Sequence, residues 1–249
     1  MPMLLPVAVA LTIGGLVAAL AGPVLRRMPT QAASGTDPIA GADYPDGTDG
    51  TGDPDDVPPH YPDLATPGFA LACGGLGAAA SVTALTLAPA GWLPLWLVWS
   101  TLFAVLVAVD ARTTWLPLRL TRGVWMVAAV AIVISALSGP DGPGVGVRTA
   151  ETVRVLLGAL AATAFYLLLW RVGHGLGFGD VRISPLIGAL GASVSWTGWW
   201  VALLAGSVLG ALWGTVRSLT GRRGPFPYGP WMWLGPAASI LLDAAGPLG

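Results

Sequence analysis

Residues 92–109 read WLPLWLVWSTLFAVLVAV, eighteen residues without a charge, and residue 110 is aspartate. A bilayer crossing takes about 20 mostly apolar residues, so this run reads as a membrane span. An ionisable group beside or within a span is expensive and is a functional candidate by default. The rest of the chain has the same character. Charged residues make up 10% of the 249 and hydrophobic residues 54%, with mean hydropathy +0.71. A soluble domain carries about 25% charged residues. The expected fold class is therefore all-α, a polytopic membrane protein with about eight transmembrane or re-entrant helices.

The candidate spans are Leu4–Ala21, Gly68–Leu87, Trp92–Val109, Val124–Leu137, Val153–Trp170, Ile183–Val194, Trp199–Val216 and Pro230–Leu242. The fourth, sixth and eighth are short, and the sixth reads equally as a buried or re-entrant helix. Closely spaced small residues (Gly14 and Gly15; Gly74, Gly75 and Gly77; Gly188 and Gly191; Gly206 and Gly210) let helix backbones approach. No basic residue precedes the first run, so it reads as an anchor rather than a signal peptide. Three regions follow: an N-terminal transmembrane helix over 1–27, an acidic disordered cytoplasmic loop over 28–66, and a membrane-embedded core over 67–249. The loop holds eight of the thirteen acidic residues and no basic one. Its apolar content is too low to offset the entropy of ordering.

All twelve basic residues are Arg, and they orient the spans. With the N-terminus outside, Arg26, Arg27, Arg112, Arg119, Arg122, Arg171, Arg182, Arg217, Arg222 and Arg223 fall inside. Only Arg148 and Arg154 fall outside. The same topology puts Asp110 and Asp180 on the cytoplasmic face. Of the remaining acids, Asp141 and Glu151 lie in or beside a Gly/Pro-rich turn and Asp243 lies near the C-terminus.

Two close carboxylates do not readily both ionise; they share a proton and can hold and activate a water. One acts as base towards the water while the other protonates the carbonyl oxygen or the leaving amine. Other catalytic equipment is scarce. There are two histidines (His60, His174), one cysteine and no lysine. Cys73 reads as a small buried hydrophobe, and His60 as a solvated loop residue. No cofactor, no metal and no nucleic-acid partner is expected; the lipid bilayer is. The stretch Gly177-Phe178-Gly179-Asp180 suits an active-site loop, because its glycines permit sharp turns and close approach.

Gly177-Phe178-Gly179-Asp180-Val181-Arg182-Ile183, followed by Gly188-Ala189-Leu190-Gly191, resembles the second active-site motif of the type IV prepilin peptidases. Asp110 followed by Leu116-Pro117 and Leu120-Thr121 resembles that family's first motif. Phe226-Pro227-Tyr228-Gly229-Pro230 is similar to the Pro-Phe-Gly-Pro before its last span, and Arg26-Arg27-Met28-Pro29 to its Arg-x-Pro. The resemblance implies an integral membrane aspartic endopeptidase of the bacterial plasma membrane. It would cleave the short basic leader from prepilins or pseudopilins at the cytoplasmic face. Asp110 and Asp180 are then the catalytic pair, Gly177 and Gly179 shape the active-site loop, and Pro117 and Arg182 support it. Arg182 stands where the family usually has Lys, and Leu118 where an acidic or amide residue often follows Pro. Longer relatives carry two Cys-x-x-Cys pairs, zinc and N-methyltransferase activity; the cysteine-free loop here implies peptidase activity alone.

Two other classes share parts of this pattern. A proton-coupled transporter also uses intramembrane carboxylates, but with paired halves broken at the midplane, and no internal repeat is visible. A non-catalytic membrane scaffold of a pilus or secretion system would require neither aspartate.

Overall fold

The computed structural model describes residues 4–28, 59–138, 145–172, 177–221 and 226–246. The described residues form helices and turns without strands: α1 (Leu4–Arg26), a 3-10 turn (Tyr61–Leu64), α2 (Pro67–Leu87), α3 (Leu93–Val98), a π-helical segment (Trp99–Phe103), α4 (Ala104–Thr113), α5 (Leu118–Leu137), α6 (Val145–Val172), α7 (Phe178–Val194), α8 (Trp196–Leu219) and α9 (Gly229–Ala245). Six stretches are long and apolar enough to cross a membrane: Leu4–Arg26, Pro67–Leu87, Ala90–Thr113, Leu118–Leu137, Thr149–Val172 and Trp196–Leu219. Large apolar side chains on α1 (Leu4, Leu11, Leu16), α5 (Val130, Leu137), α6 (Leu160, Leu168) and α8 (Val208, Leu212) point outward. This suits a protein whose solvent is lipid.

Two of the spans expected to be short are so, and one is not. The fourth starts at Leu118 rather than Val124, giving 20 residues. Arg119 and Arg122 sit in its first turns, where long basic side chains can reach the interface along apolar stems. The sixth and eighth, α7 and α9, have 17 residues each. At 1.5 Å per residue that is about 25 Å, against a hydrocarbon core of about 30 Å.

Twelve of the 17 residues in α7 are buried, so its solvent is protein. Its neighbours approach closely because the facing residues are small. A Cβ on Gly188 would run into the Gly158 carbonyl of α6, and one on Gly191 would lie 2.8 Å from Ala202 Cβ of α8. Across the bundle, Gly14 of α1 and Gly74 of α2 face each other in the same way, each blocking a Cβ on the other. Pro185 removes an N–H from the interior of α7. The carbonyl that this N–H would have bonded belongs to Val181, and the Ser184 hydroxyl donates to it at 2.8 Å.

Arg154, which the charge rule places on the far side, has a structural task there. Its Nε donates to Ala192 O at 2.6 Å, and one terminal nitrogen to Ser193 O and Val194 O at 3.3 and 3.4 Å. The last carbonyls of a helix lack intrahelical partners and carry partial negative charge. A guanidinium from α6 satisfies them where water is scarce.

The third span is knotted to its neighbours through tryptophans. Trp99 opens the π-helical segment and stacks on Trp233 of α9, with ring centroids 4.7 Å apart. Each indole donates to the other's backbone carbonyl, at 3.0 and 3.1 Å. A π-turn disturbs the regular i→i−4 ladder; here the hydroxyls of Ser100 and Thr101 both donate to Leu97 O. Ser81 of α2 donates to Ser100 at 3.0 Å, and Trp96 to Ser193 of α7 at 3.0 Å. Cys73 is fully buried in α2.

Most of the acidic loop, residues 29–58, lies outside the described residues. Its last part departs from the expectation of disorder through residue 66. Tyr61–Leu64 forms the 3-10 turn with Pro62 in its first positions, and Tyr61 is 1% exposed. The Thr66 hydroxyl accepts from Phe69 N at 3.2 Å and so caps α2. The polar average of the segment conceals this Tyr-Pro-Asp-Leu anchor. His60 pairs with Asp63 of the same turn, Nδ1 to Oδ1 2.9 Å, in solvent.

Gly188→Ala should lower stability by about 1–3 kcal/mol, the usual cost of overpacking. Gly75→Ala, with nothing within 4 Å of its added Cβ, should be neutral; thermal melts of the two purified variants measure the difference. Arg154→Met should cost about 1.5–3 kcal/mol, since it removes charge-assisted hydrogen bonds from buried carbonyls. The same melts check it.

Candidate active site

Asp110 occupies the last turns of α4 and is 4% exposed; Asp180 occupies the first turn of α7 and is 7% exposed. They are two of the few polar side chains buried among the described residues. Placement follows from the local sequence. Helix α4 runs past Asp110 to Thr113 and ends on Thr114, which adopts the left-handed conformation (φ 57°) and donates its N–H to Asp110 O at 2.7 Å. Thr113 Oγ1 accepts from Trp115 N at 3.2 Å, fixing the reversal. Leu116 then turns inward and Pro117 caps α5, its carbonyl accepting both the N–H and the hydroxyl of Thr121.

The two motif regions meet through this turn. A Cβ on Gly179 would come within 2.9 Å of Leu116 Cδ1. Glycine at 179 therefore lets α7 begin hard against the loop that follows Asp110. Gly177 caps the start of α7 in extended conformation, and its carbonyl accepts from Asp180 N at 3.1 Å. A Cβ there would stand 3.6 Å from Asp180 Oδ2, an ordinary contact, so Gly177 is not forced by space. A carboxylate in the first helical turn also faces the positive end of the helix dipole.

A third element completes the site, and the sequence reading assigned it no role. The N–H of Gly229, at the start of α9, donates to Asp110 Oδ2 at 3.0 Å. A Cβ at this position would lie 2.7 Å from the same oxygen, so the approach requires glycine. The preceding Tyr228 donates its hydroxyl to Ser207 O of α8 at 3.2 Å, and Tyr166 of α6 pairs with the Ser207 hydroxyl at 3.0 Å. Burial first, and then the nearby Asp180 charge, push the Tyr228 phenol above its ordinary range. The signal for Gly229 was present in Phe226-Pro227-Tyr228-Gly229-Pro230, but spacing alone does not say which aspartate it meets.

Pro117 and Arg182 are set back from the carboxylates. Pro117 positions Leu116. Arg182 lies with its guanidinium 4.9 Å from the Phe178 ring centroid, and its carbonyl accepts from Trp125 Nε1 at 2.9 Å. Phe178 in turn packs edge-on against Trp170, 5.1 Å between centroids. The pair thus braces the start of α7 against α5 and α6. His174 lies outside the described residues. Among the described residues no third His, Cys, Asp or Glu joins the two carboxylates to make a metal-ligand group.

The site offers two buried carboxylates, one held by a backbone N–H, at the end of an apolar bundle. Such a pair can share a proton, hold a water and exchange protons with a reacting carbonyl. The model of the type IV leader peptidase family matches residues 96–215, a segment that contains both aspartates and the turn between them. No curated protein and no solved structure matches the chain significantly. Over residues 96–215, just under half of its length, this chain is similar to the type IV leader peptidase family.

Proposed function

We propose that the protein is an aspartic endopeptidase of the membrane that removes the leader from prepilins or prepilin-like proteins at the cytoplasmic face. The observation that carries this reading is the burial of Asp110 at the end of α4 and of Asp180 at the start of α7, both inside the segment that matches the family. One carboxylate takes a proton from water as the oxygen adds to the scissile carbonyl carbon. The other gives its proton to the carbonyl oxygen and, on collapse, the amine leaves protonated. The Gly229 N–H orients Asp110 throughout. Gly177 and Gly179 shape the loop, Pro117 and Arg182 brace it, and the cycle draws on no cofactor.

The orientation rests on the arginines. Arg26, Arg112, Arg171 and Arg217 lie in the last turns of their helices, and Arg119 and Arg182 near the starts of theirs. Alternating spans bring these ends to one face, the face of the two aspartates, and a basic face is cytoplasmic. Arg154 does not count against this, because its charge is engaged in capping α7. Both carboxylates lie towards one end of the bundle, which favours a peptidase over a carrier with its site at the midplane.

Asp110→Asn and Asp180→Asn should each lower prepilin cleavage by about 10³-fold or more while the protein accumulates normally. Groups that act as a unit lose nearly everything when one is removed. Gel-shift of the processed pilin against time measures this, and near-normal cleavage by either variant removes that residue from the pair. Gly229→Ala should cost about 10²-fold in kcat, because displacing a catalytic group by even 1 Å can do so. The added Cβ meets the Asp110 carboxylate head-on. Steady-state kinetics on the folded variant decide it.

A further inference from the structure

The N–H that Asp110 receives belongs to the peptide unit joining Tyr228 to Gly229. A trans peptide is planar, so its N–H and its C=O point in opposite directions. The Tyr228 carbonyl accepts from Trp231 N at 3.1 Å and from Met232 N at 3.2 Å, the first bonds of α9. The N–H across the plane is thereby turned away from α9 and towards α4, where Asp110 Oδ2 accepts it at 3.0 Å. A Cβ on Gly229 would stand 2.7 Å from that oxygen and 3.5 Å from Ile183 Cδ1, one turn after Asp180 on α7. This peptide is thus wedged between the two helices that carry the aspartates.

Tyr228 stands at the end of the connection from α8, and a connection is held only as well as its own contacts hold it. Here the side chain supplies them. Its ring fills the space left by Gly210 of α8, where an added Cβ would overlap it. Its hydroxyl donates to Ser207 O, one turn earlier on α8, at 3.2 Å. The Ser207 hydroxyl pairs in turn with Tyr166 of α6, which is 1% exposed. Phe226 lies over Gly214 in the same manner, with ring Cζ 3.1 Å from a Cβ built there, and Gly206 faces the backbone of Met232. Gly206, Gly210 and Gly214 recur every fourth residue and so share one face of α8. The chain from Phe226 to Met232 runs along that face. Phenylalanine would also fill the Gly210 slot; the tyrosine hydroxyl adds a fixed depth.

On the peptidase reading given above, we propose that Tyr228 is a positioning residue: seated on Gly210 and tied to Ser207, it holds the Tyr228–Gly229 peptide so that the Gly229 N–H stays on the Asp110 carboxylate through the reaction. It touches neither the substrate nor the reacting atoms, and its effect passes through Gly229. Displacing a catalytic group by about 1 Å can cost about 10²-fold in rate. The tie to α8 opposes such a displacement.

The test uses the full-length chain in liposomes and a purified prepilin carrying its basic leader, with kcat normalised to folded protein by thermal melt. Tyr228→Ala should lose about 10²-fold in kcat, with KM within about twofold. Tyr228→Phe, which keeps the ring over Gly210, should stay within about tenfold of wild type, the scale of one hydrogen bond. Added to Gly229→Ala, Tyr228→Ala should cost less than about threefold more, because both act on one contact; independent effects would multiply to about 10⁴-fold. Gly210→Ala crowds the ring while leaving Tyr228 in place, and should lower kcat by about tenfold or more with KM kept. That variant keeps the test decisive if Tyr228→Ala fails to fold. Wild-type kcat in Tyr228→Ala or Gly210→Ala, a change in KM alone, or losses that multiply in the double variant would overturn the proposal and leave Tyr228 as packing. Failure of the wild type to cleave, or normal cleavage by Asp110→Asn, would instead overturn the aspartic reading, and the role given to Tyr228 with it.

Discussion

Burying two carboxylates at one end of an apolar bundle is the constraint around which this protein is arranged. An isolated charge in such surroundings costs several kcal/mol unless hydrogen bonds or a shared proton offset it. The protein meets this locally. Asp110 receives a backbone N–H from the start of α9, and Asp180 stands in the first turn of α7, at the positive end of a helix dipole. The first solution uses a backbone group of another element, so α4 and α9 must arrive together, while Asp180 draws on its own helix. The dyad is a product of the fold's closure rather than of any one helix.

That closure depends on α7 being short and surrounded. At 17 residues it is at the short limit of a span, and twelve of them are buried in protein. Its C-terminal carbonyls are met by Arg154 from α6, and Val181's by the Ser184 hydroxyl beside Pro185. Its flanks are met by glycines of α6 and α8, which bring backbones close enough for dispersion to replace the hydrophobic effect that lipid does not supply. The Trp99–Trp233 stack with its two crossed hydrogen bonds then fixes the third span to α9. In this way the Asp110 helix and the Gly229 helix are locked in register.

The arginines separate into two physical roles. Those at the aspartate end, on the proposed orientation, follow the asymmetry of membrane insertion. Arg154 answers to hydrogen bonding, which is why it departs from the charge rule without weakening it. The tyrosines divide similarly: Tyr166 and Tyr228 are satisfied by Ser207, whereas the buried Tyr61 hydroxyl has no partner among the described residues.

Composition, the uncharged run over 92–109 and the scarcity of acids in the core determined the membrane class, the helical fold and the two aspartates worth attention. These follow from sequence because solvation cost is local: a charge in an apolar stretch is visible wherever the chain folds. The motif spacing was also enough to point to Gly177 and Gly179. Only the tertiary structure decided that Gly229 holds Asp110, that Leu116 fills the space left by Gly179, that Arg154 caps α7, and that Tyr61 leaves a polar loop to enter the core. Each of these is a contact between residues far apart along the chain. A Tyr in an acidic segment, or an Arg inside a span, carries no local mark of the partner it will meet, because that partner is set by which helices pack and how closely their glycines let them approach.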